Sequence, residues 1–244
     1  NEHMEENILE IFSSIQGEGK YIGARQAFLR FAGCNIKCSF CDTAFQPAAS
    51  CRVEAIPGCG EYEELPNPLS VQEVAARIHS FVVPVPHHSI SLTGGEPLLH
   101  AAFIRALASE VNVPFFLETN GTLYEEMASI LDIISYISMD IKLPSVTGKP
   151  LWEEHRHFLR LLHNHDAYVK IVVAENTEEE EFQEAVHLVA HIAPQILFII
   201  QPATPFGGVH APTAKKLLHL QAEAAEHLVN VRVIPQAHRM MGLL

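Results

Sequence analysis

Short apolar runs alternate with longer amphipathic ones along most of the chain. The runs Ile8–Phe12, Ala27–Phe31, Ser89–Thr93, Phe115–Glu118, Tyr136–Ile141, Tyr168–Val173, Ile196–Gln201 and Val231–Pro235 predict strands. Several are continuous and β-branched, as strands buried on both faces are. Between them, 3.6-residue periodicity predicts helices over Val71–Val82, Ala101–Val111, Tyr124–Leu131, Trp152–His163, Glu178–Ala193 and Pro212–Leu228. Ser70 and Thr177 stand where N-caps belong, and the acidic run from Glu178 to Glu181 suits a solvated first helical turn. A repeated strand–helix–strand rhythm implies parallel strands joined by right-handed crossovers. About six such units are too few for an eight-fold barrel. The expected fold is therefore α/β, an incomplete TIM-like barrel of mainly parallel strands in one domain spanning residues 1–244. An open doubly wound sheet is the alternative. The stretch from Gln46 to Pro68, rich in Pro, Gly and Glu, has no period and reads as a long irregular loop.

Composition narrows the class. The chain has 244 residues, 48% hydrophobic and 18% charged, which suits a folded protein with its own core. Its apolar stretches reach about six to eight residues, short of the roughly 20 that a bilayer span requires, so no membrane segment is expected. No basic-then-apolar leader opens the chain, so no signal peptide is expected, and residues 1–3 read as a remnant ahead of Met4. A net charge of −13 disfavours phosphate backbones and anionic membranes, so neither nucleic acid nor membrane is an expected partner. Five cysteines, three of them within eight residues, do not form a secreted disulfide framework, and a cytoplasmic location is expected.

Those three, Cys34, Cys38 and Cys41, follow a predicted strand with C-x3-C-x2-C spacing. Three thiolates on a curled loop can hold three corners of a [4Fe–4S] cube and leave the fourth iron open to a chelating ligand. Gly33 lets the backbone turn as it leaves the strand. The alternative is a zinc site, which usually needs four ligands; Cys51 and Cys59 would have to complete it.

The motif resembles that of radical S-adenosylmethionine (SAM) enzymes. Its flanks, Ile15-Gln16-Gly17-Glu18-Gly19 upstream and Cys41-Asp42-Thr43 downstream, resemble more narrowly the 7-carboxy-7-deazaguanine synthase family. Thr93-Gly-Gly-Glu96-Pro97, Glu118-Thr-Asn120-Gly121, Asp140-Ile-Lys142, Gln201-Pro202 and Pro235-Gln-Ala-His238 extend the likeness over nearly the whole chain. The resemblance implies a lyase reaction. The cluster reduces SAM to methionine and a 5′-deoxyadenosyl radical, which takes hydrogen from 6-carboxy-5,6,7,8-tetrahydropterin. Ring contraction and loss of ammonia then give 7-carboxy-7-deazaguanine, with SAM regenerated.

The same resemblance assigns residues. Cys34, Cys38 and Cys41 would hold the cluster. Phe40, Cys41, Asp42, Gly95 with Glu96, Glu118, Asp140, Ile141, Lys142 and the run Gln201, Pro202, Ala203, Thr204 would bind SAM. Ile15, Gln16, Gly17, Arg30, Thr93, His238 and the terminal carboxylate of Leu244 would bind the pterin, and Thr43 would bind Mg2+. The family commonly shows Ser-x-Lys where this chain has Asp140-Ile-Lys142, with Ser138 two residues earlier. The family also implies a homodimer and an electron donor such as flavodoxin or ferredoxin. Bland readings stand beside several of these. Gly94-Gly95 and Asn120-Gly121 are turn signals, and Thr43 is a turn hydroxyl. Arg30, a charge within an apolar run, needs a partner such as Glu10 or a planar ligand edge.

Overall fold

The computed structural model describes residues 4–39, 41 and 44–243. Twelve strands are found among them: β1 (Glu5–Glu6), β2 (Ile8–Ile15), β3 (Arg25–Phe31), β4 (Ser50–Glu54), β5 (Tyr62–Pro66), β6 (Leu69–Ser70), β7 (Ser89–Gly94), β8 (Phe115–Thr119), β9 (Ile134–Asp140), β10 (Ala167–Val173), β11 (Leu197–Pro202) and β12 (Val231–Val233). The helices are α1 (Val71–Val82), α2 (Ala101–Ala108), α3 (Tyr124–Ile130), α4 (Pro144–Thr147), α5 (Trp152–Leu161), α6 (Glu179–Ile192), α7 (Ala214–Ala225) and α8 (Ala237–Met240).

Ten strands form one sheet in the order β12-β11-β10-β9-β8-β7-β3-β2-β4-β5, with β1 and β6 paired separately. From β3 through β7 to β12 every neighbouring pair is parallel, as the strand–helix rhythm predicts. β2 instead runs antiparallel to β3. The sheet does not close among the described residues, so the barrel is incomplete.

Gln46 to Pro68 is not an irregular loop. It contains the β4–β5 hairpin, whose β4 pairs parallel with β2 and extends the sheet. The pattern was hidden because this is an edge. Alternate residues Cys51 and Val53 are fully buried, whereas Arg52, Glu63 and Glu64 face outward as edge-strand charges do. At α6 the N-cap is Glu178, not Thr177. The Thr177 hydroxyl accepts instead from the Ala174 amide at 2.7 Å and closes the turn between β10 and the helix.

Strand periodicity separates two faces of the sheet. Leu29, Leu92, Leu117, Met139, Ile171 and Ile200 point to the helices and join one continuous core. Their sequence neighbours point the other way, and many are polar: Arg30, Thr93, Glu118, Asp140, Lys170 and Gln201. Apolar packing of Phe116, Tyr168, Leu197 and Ile199, with Tyr21 and Tyr136 against them, fills the deeper part of this concave face. The polar residues are left towards the C-terminal ends of the strands, where barrel-like folds place ligands.

Helix α1 begins with a full capping box. Ser70 Oγ accepts from the Glu73 amide at 3.2 Å, and the Glu73 carboxylate accepts from the Ser70 amide at 2.8 Å. Ser70→Ala should lower unfolding stability by about 1 kcal/mol; a urea titration with unchanged slope and a lower midpoint checks this.

Candidate active site

The site begins where β3 ends. Gly33 has φ +86°, and its amide donates to the Phe45 carbonyl at 2.7 Å, so the loop bearing the three cysteines closes on itself. The ends of β3 and β7 come together through glycine. Gly94 has φ +125°, and a Cβ there would lie 2.2 Å from the Phe31 carbonyl oxygen. A Cβ on Gly95 would lie 1.9 Å from the Gly33 carbonyl oxygen. The pair therefore admits the neighbouring chain; its close approach is to backbone, where the sequence reading expected a ligand. The Glu96 amide then donates to the same Gly33 carbonyl at 2.8 Å.

The Glu96 side chain ties in β8. Its carboxylate accepts from the Thr119 hydroxyl at 2.8 Å, the Asn120 amide at 2.8 Å and the Leu98 amide at 3.1 Å. Burial nevertheless pushes it up to about 7. Asn120 in turn braces the cysteine loop. Its Nδ2 donates to Asn35 Oδ1 at 2.9 Å and lies 4.0 Å from Cys34 Sγ. His155, fully buried on α5, donates to the Asn120 carbonyl at 3.1 Å. Burial holds this imidazole neutral and pushes it down to about 4.

Cys34 and Cys38 are half-buried and Cys41 is exposed, and none is in a disulfide. Burial pushes the Cys34 and Cys38 thiols up, while the Lys142 ammonium opposes it. Lys142 is anchored by Asp140 at 2.9 Å. Among the described residues no three His, Cys, Asp or Glu side chains converge on one metal ion. Thiolates on separate corners of a cube have no need to do so. Cys51 does not join them: it is fully buried in β4 within the hydrophobic core, outside the cavity that the three thiols line, and burial pushes its thiol up to about 12.

Around the same cavity, the polar strand residues interlock. Glu118 accepts from Thr93 Oγ1 at 2.7 Å and from Gln16 Nε2 at 2.9 Å, and burial raises its carboxyl. Arg30 donates from Nε to Glu10 at 2.8 Å, and Arg52 takes the other Glu10 oxygen at 2.7 Å. Lys170 contacts Glu18, whose second oxygen accepts from Gln236 Nε2 at 2.6 Å. A Cβ on Gly17 would lie 2.1 Å from His238 Nδ1, and the Ala237 amide donates to the Gly17 carbonyl at 2.8 Å. The C-terminal segment thus packs directly on the N-terminal loop.

These groups surround one cavity of about 310 Å³. Of the expected residues, Cys34, Cys38, Cys41, Arg30, Gly95, Glu118, Asp140, Lys142, Gln201, Ala203, Thr204, Ile15, Gln16, Gly17, Thr93 and His238 all line it. Ile141 does not; its side chain is in the helix-facing core. Pro202 is half-buried outside the cavity wall. Phe40, Asp42, Thr43 and Leu244 lie outside the described residues. Sequence reasoning did not single out Lys170, Gln236 or the bracing role of Asn120, nor did it assign Glu18 a role. A signal existed for Lys170: it is a charge in the apolar run Tyr168–Val173, the same argument that singled out Arg30.

The profile of the radical SAM superfamily matches residues 29–189. A 7-carboxy-7-deazaguanine synthase from Geobacter sulfurreducens is 43% identical over 241 residues, covering 96% of each chain. The chain belongs to the radical SAM superfamily, in its 7-carboxy-7-deazaguanine synthase family. A synthase of that name from Bacillus subtilis is 30% identical over 251 residues, covering 96% of this chain and 95% of that one. The crystal structure of QueE from Escherichia coli shares the fold, with a TM-score of 0.61 at 19% identity over 97% of this chain and 96% of that one.

Two outcomes test this framework. Gly95→Ala should force the Gly33 backbone aside, lower stability by about 2 kcal/mol or more, and reduce iron retained per chain after reconstitution; thermal unfolding and iron analysis read both. His155 gives a pH dependence. Its folded value of about 4 lies below the unfolded value of 6.5, so the unfolded chain takes up a proton that the folded chain refuses. Stability should be complete above pH 6.5 and fall as pH drops towards 4, by about 2 kcal/mol at pH 5. His155→Gln should remove that share of the difference between denaturation midpoints at pH 7 and pH 5.

Proposed function

We propose that this chain converts 6-carboxy-5,6,7,8-tetrahydropterin to 7-carboxy-7-deazaguanine with loss of ammonia, using a [4Fe–4S] cluster and SAM. The observation that carries the reading is one cavity whose wall brings Cys34, Cys38 and Cys41 together with the polar strand residues Arg30, Thr93, Glu118, Asp140, Lys170 and Gln201. The family membership and the similar synthases support it.

The residues present fit both cofactors. Cys34, Cys38 and Cys41 share one loop, and the Lys142 ammonium opposes the burial that raises the Cys34 and Cys38 thiols. Among the described residues, the buried Gln201 Oε1 has no hydrogen-bond donor and Asp140 Oδ1 has only the Lys170 ammonium at 3.4 Å, and both residues line the cavity. Such atoms match a ligand rich in N–H and O–H groups, which SAM supplies from its ammonium and ribose. When bound, the cluster supplies the electron that opens the carbon–sulfur bond of SAM.

The protein's own part is to bind, orient and exclude. Cys34, Cys38 and Cys41 hold the cluster, and the Asn120–Asn35 bond keeps their loop in register with β8. Asp140, Lys142, Gln201, Ala203 and Thr204 form the SAM side, with Gly95 at the junction. Gln16, Thr93, Glu118, Arg30 and His238 form the pterin side. Arg30, already oriented by Glu10, offers a planar cation suited to the pterin carboxylate. The C-terminal segment, seated on Gly17, covers that side and excludes water from the reacting atoms. The reading further includes Mg2+ on Thr43 with the substrate, a flavodoxin or ferredoxin as reductant, a homodimer and a cytoplasmic location.

Anaerobically reconstituted protein, given dithionite, SAM and the carboxylated pterin, should release 7-carboxy-7-deazaguanine. Cys38→Ala should cut 5′-deoxyadenosine and product formation by roughly a hundredfold or more; full activity in that variant would refute the ligand assignment.

A further inference from the structure

Lys170 has no part in the assignments above, yet it pairs with carboxylates on two sides of the cavity wall. It lies in the middle of β10, with its side chain 8% exposed. On one side its ammonium contacts Glu18, carried on the loop after β2. On the other it lies 3.4 Å from Asp140 Oδ1, on the adjacent strand at the same register position. Asp140 Oδ2 is held by Lys142, two residues from it and beside the cysteine loop. Glu18 Oε1 is held by Gln236, whose own carbonyl oxygen accepts from Thr204 at 2.6 Å. One ammonium thus joins two chains of contacts, one leading to the thiols and the other to the C-terminal cover.

A buried ammonium is costly unless its charge is matched. Here Glu18, Asp140 and the nearby Glu118 match it and raise its proton affinity against the effect of burial. Burial would likewise raise Glu18, but Lys170 and the Gln236 amide reverse this and bring it to about 2. Glu18 is therefore ionised and directed because Lys170 is charged and in place, and the same ammonium faces Asp140 Oδ1. Without it, three acidic groups would face one another across the cavity.

We propose that Lys170 is a positioning residue that sets both subsites at once, aiming Glu18 at the pterin and Asp140 at SAM. The inference rests on the function proposed above. A purely stabilising lysine would leave ligand constants alone when replaced, whereas this one transmits its loss to two ligands through two different carboxylates.

The test uses the cluster-loaded enzyme and a mutant cycle. K170M should raise KM for the carboxylated pterin about tenfold and weaken SAM binding about fivefold, with the cluster's absorbance unchanged. In the E18Q background the pterin effect of K170M should shrink to within about twofold, because Glu18 carries it, while the SAM effect persists through Asp140. That split supports the proposal. Unchanged constants for both ligands in K170M, or a pterin effect of equal size in the E18Q background, would overturn it. Should K170M not accumulate as folded protein, K170R, which keeps the charge and moves it, carries the same two measurements. If wild-type protein does not turn over the pterin, the function reading fails; equilibrium SAM binding to K170M still decides the Asp140 half of the inference.

Discussion

The contact between the backbones of Gly33 and Gly95 sets the geometry of the whole site. No side chain fits between them: a Cβ on Gly95 would be 1.9 Å from a carbonyl oxygen. That contact fixes where the cysteine loop leaves β3 relative to the end of β7. The next residue, Glu96, donates its amide to the same carbonyl and extends its carboxylate under the end of β8. Asn120 then reaches back to the loop through Asn35. Three parallel strand ends and the thiol-bearing loop become one rigid assembly, held by backbone groups and two buried polar side chains. Ligand-bearing loops on rigid supports keep their geometry without help from the ligand.

Much of this was legible in the sequence. Gly33, Gly94-Gly95 and the cysteine spacing marked the junction, and the strand–helix rhythm gave the parallel sheet. The reason for the glycine pair was not legible, because sequence order does not say which chain segment passes beside Gly95. The edge hairpin was also hidden, since β4 and β5 bury few apolar residues and their Gly and Pro resemble a loop. Thr177 showed a further limit. Its position before the acidic run suits an N-cap, and the folded chain turns its hydroxyl back to the Ala174 amide instead.

The concave face of the sheet was the deeper omission. Runs such as Tyr168–Val173 look uniformly apolar at a glance, which suggests strands buried equally on both sides. Read at period two, Val169, Ile171 and Val173 belong to the core behind the sheet, and Tyr168 and Lys170 belong to its interior. The same offset separates Leu29 from Arg30, Leu92 from Thr93 and Ile200 from Gln201. The polar residues that seem misplaced in apolar runs all point into one space. Individually each looked like a defect of a strand; together they define the interior.

That interior is expensive in stability terms. Largely buried ion pairs such as Lys170–Glu18 and Lys142–Asp140 seldom stabilise a fold more than well-packed apolar side chains would. Acceptors such as Gln201 Oε1, buried with no donor among the described residues, cost about 1–3 kcal/mol each. The face behind the sheet shows that this chain can pack Leu, Ile, Val and Phe without such groups. The charged side chains of this face, Arg30, Glu118, Asp140 and Lys170, lie nearer the C-terminal ends of the strands than the packed rings of Phe116 and Tyr168, whereas deeper polar groups such as Gln26, Ser89 and Ser91 are uncharged. A fold selected for stability alone would have kept charge out of the upper layer as it did out of the lower one. The placement of this cost, beside the three thiols of the cysteine loop and under a C-terminal segment seated on Gly17, is what distinguishes a ligand site from an imperfect core.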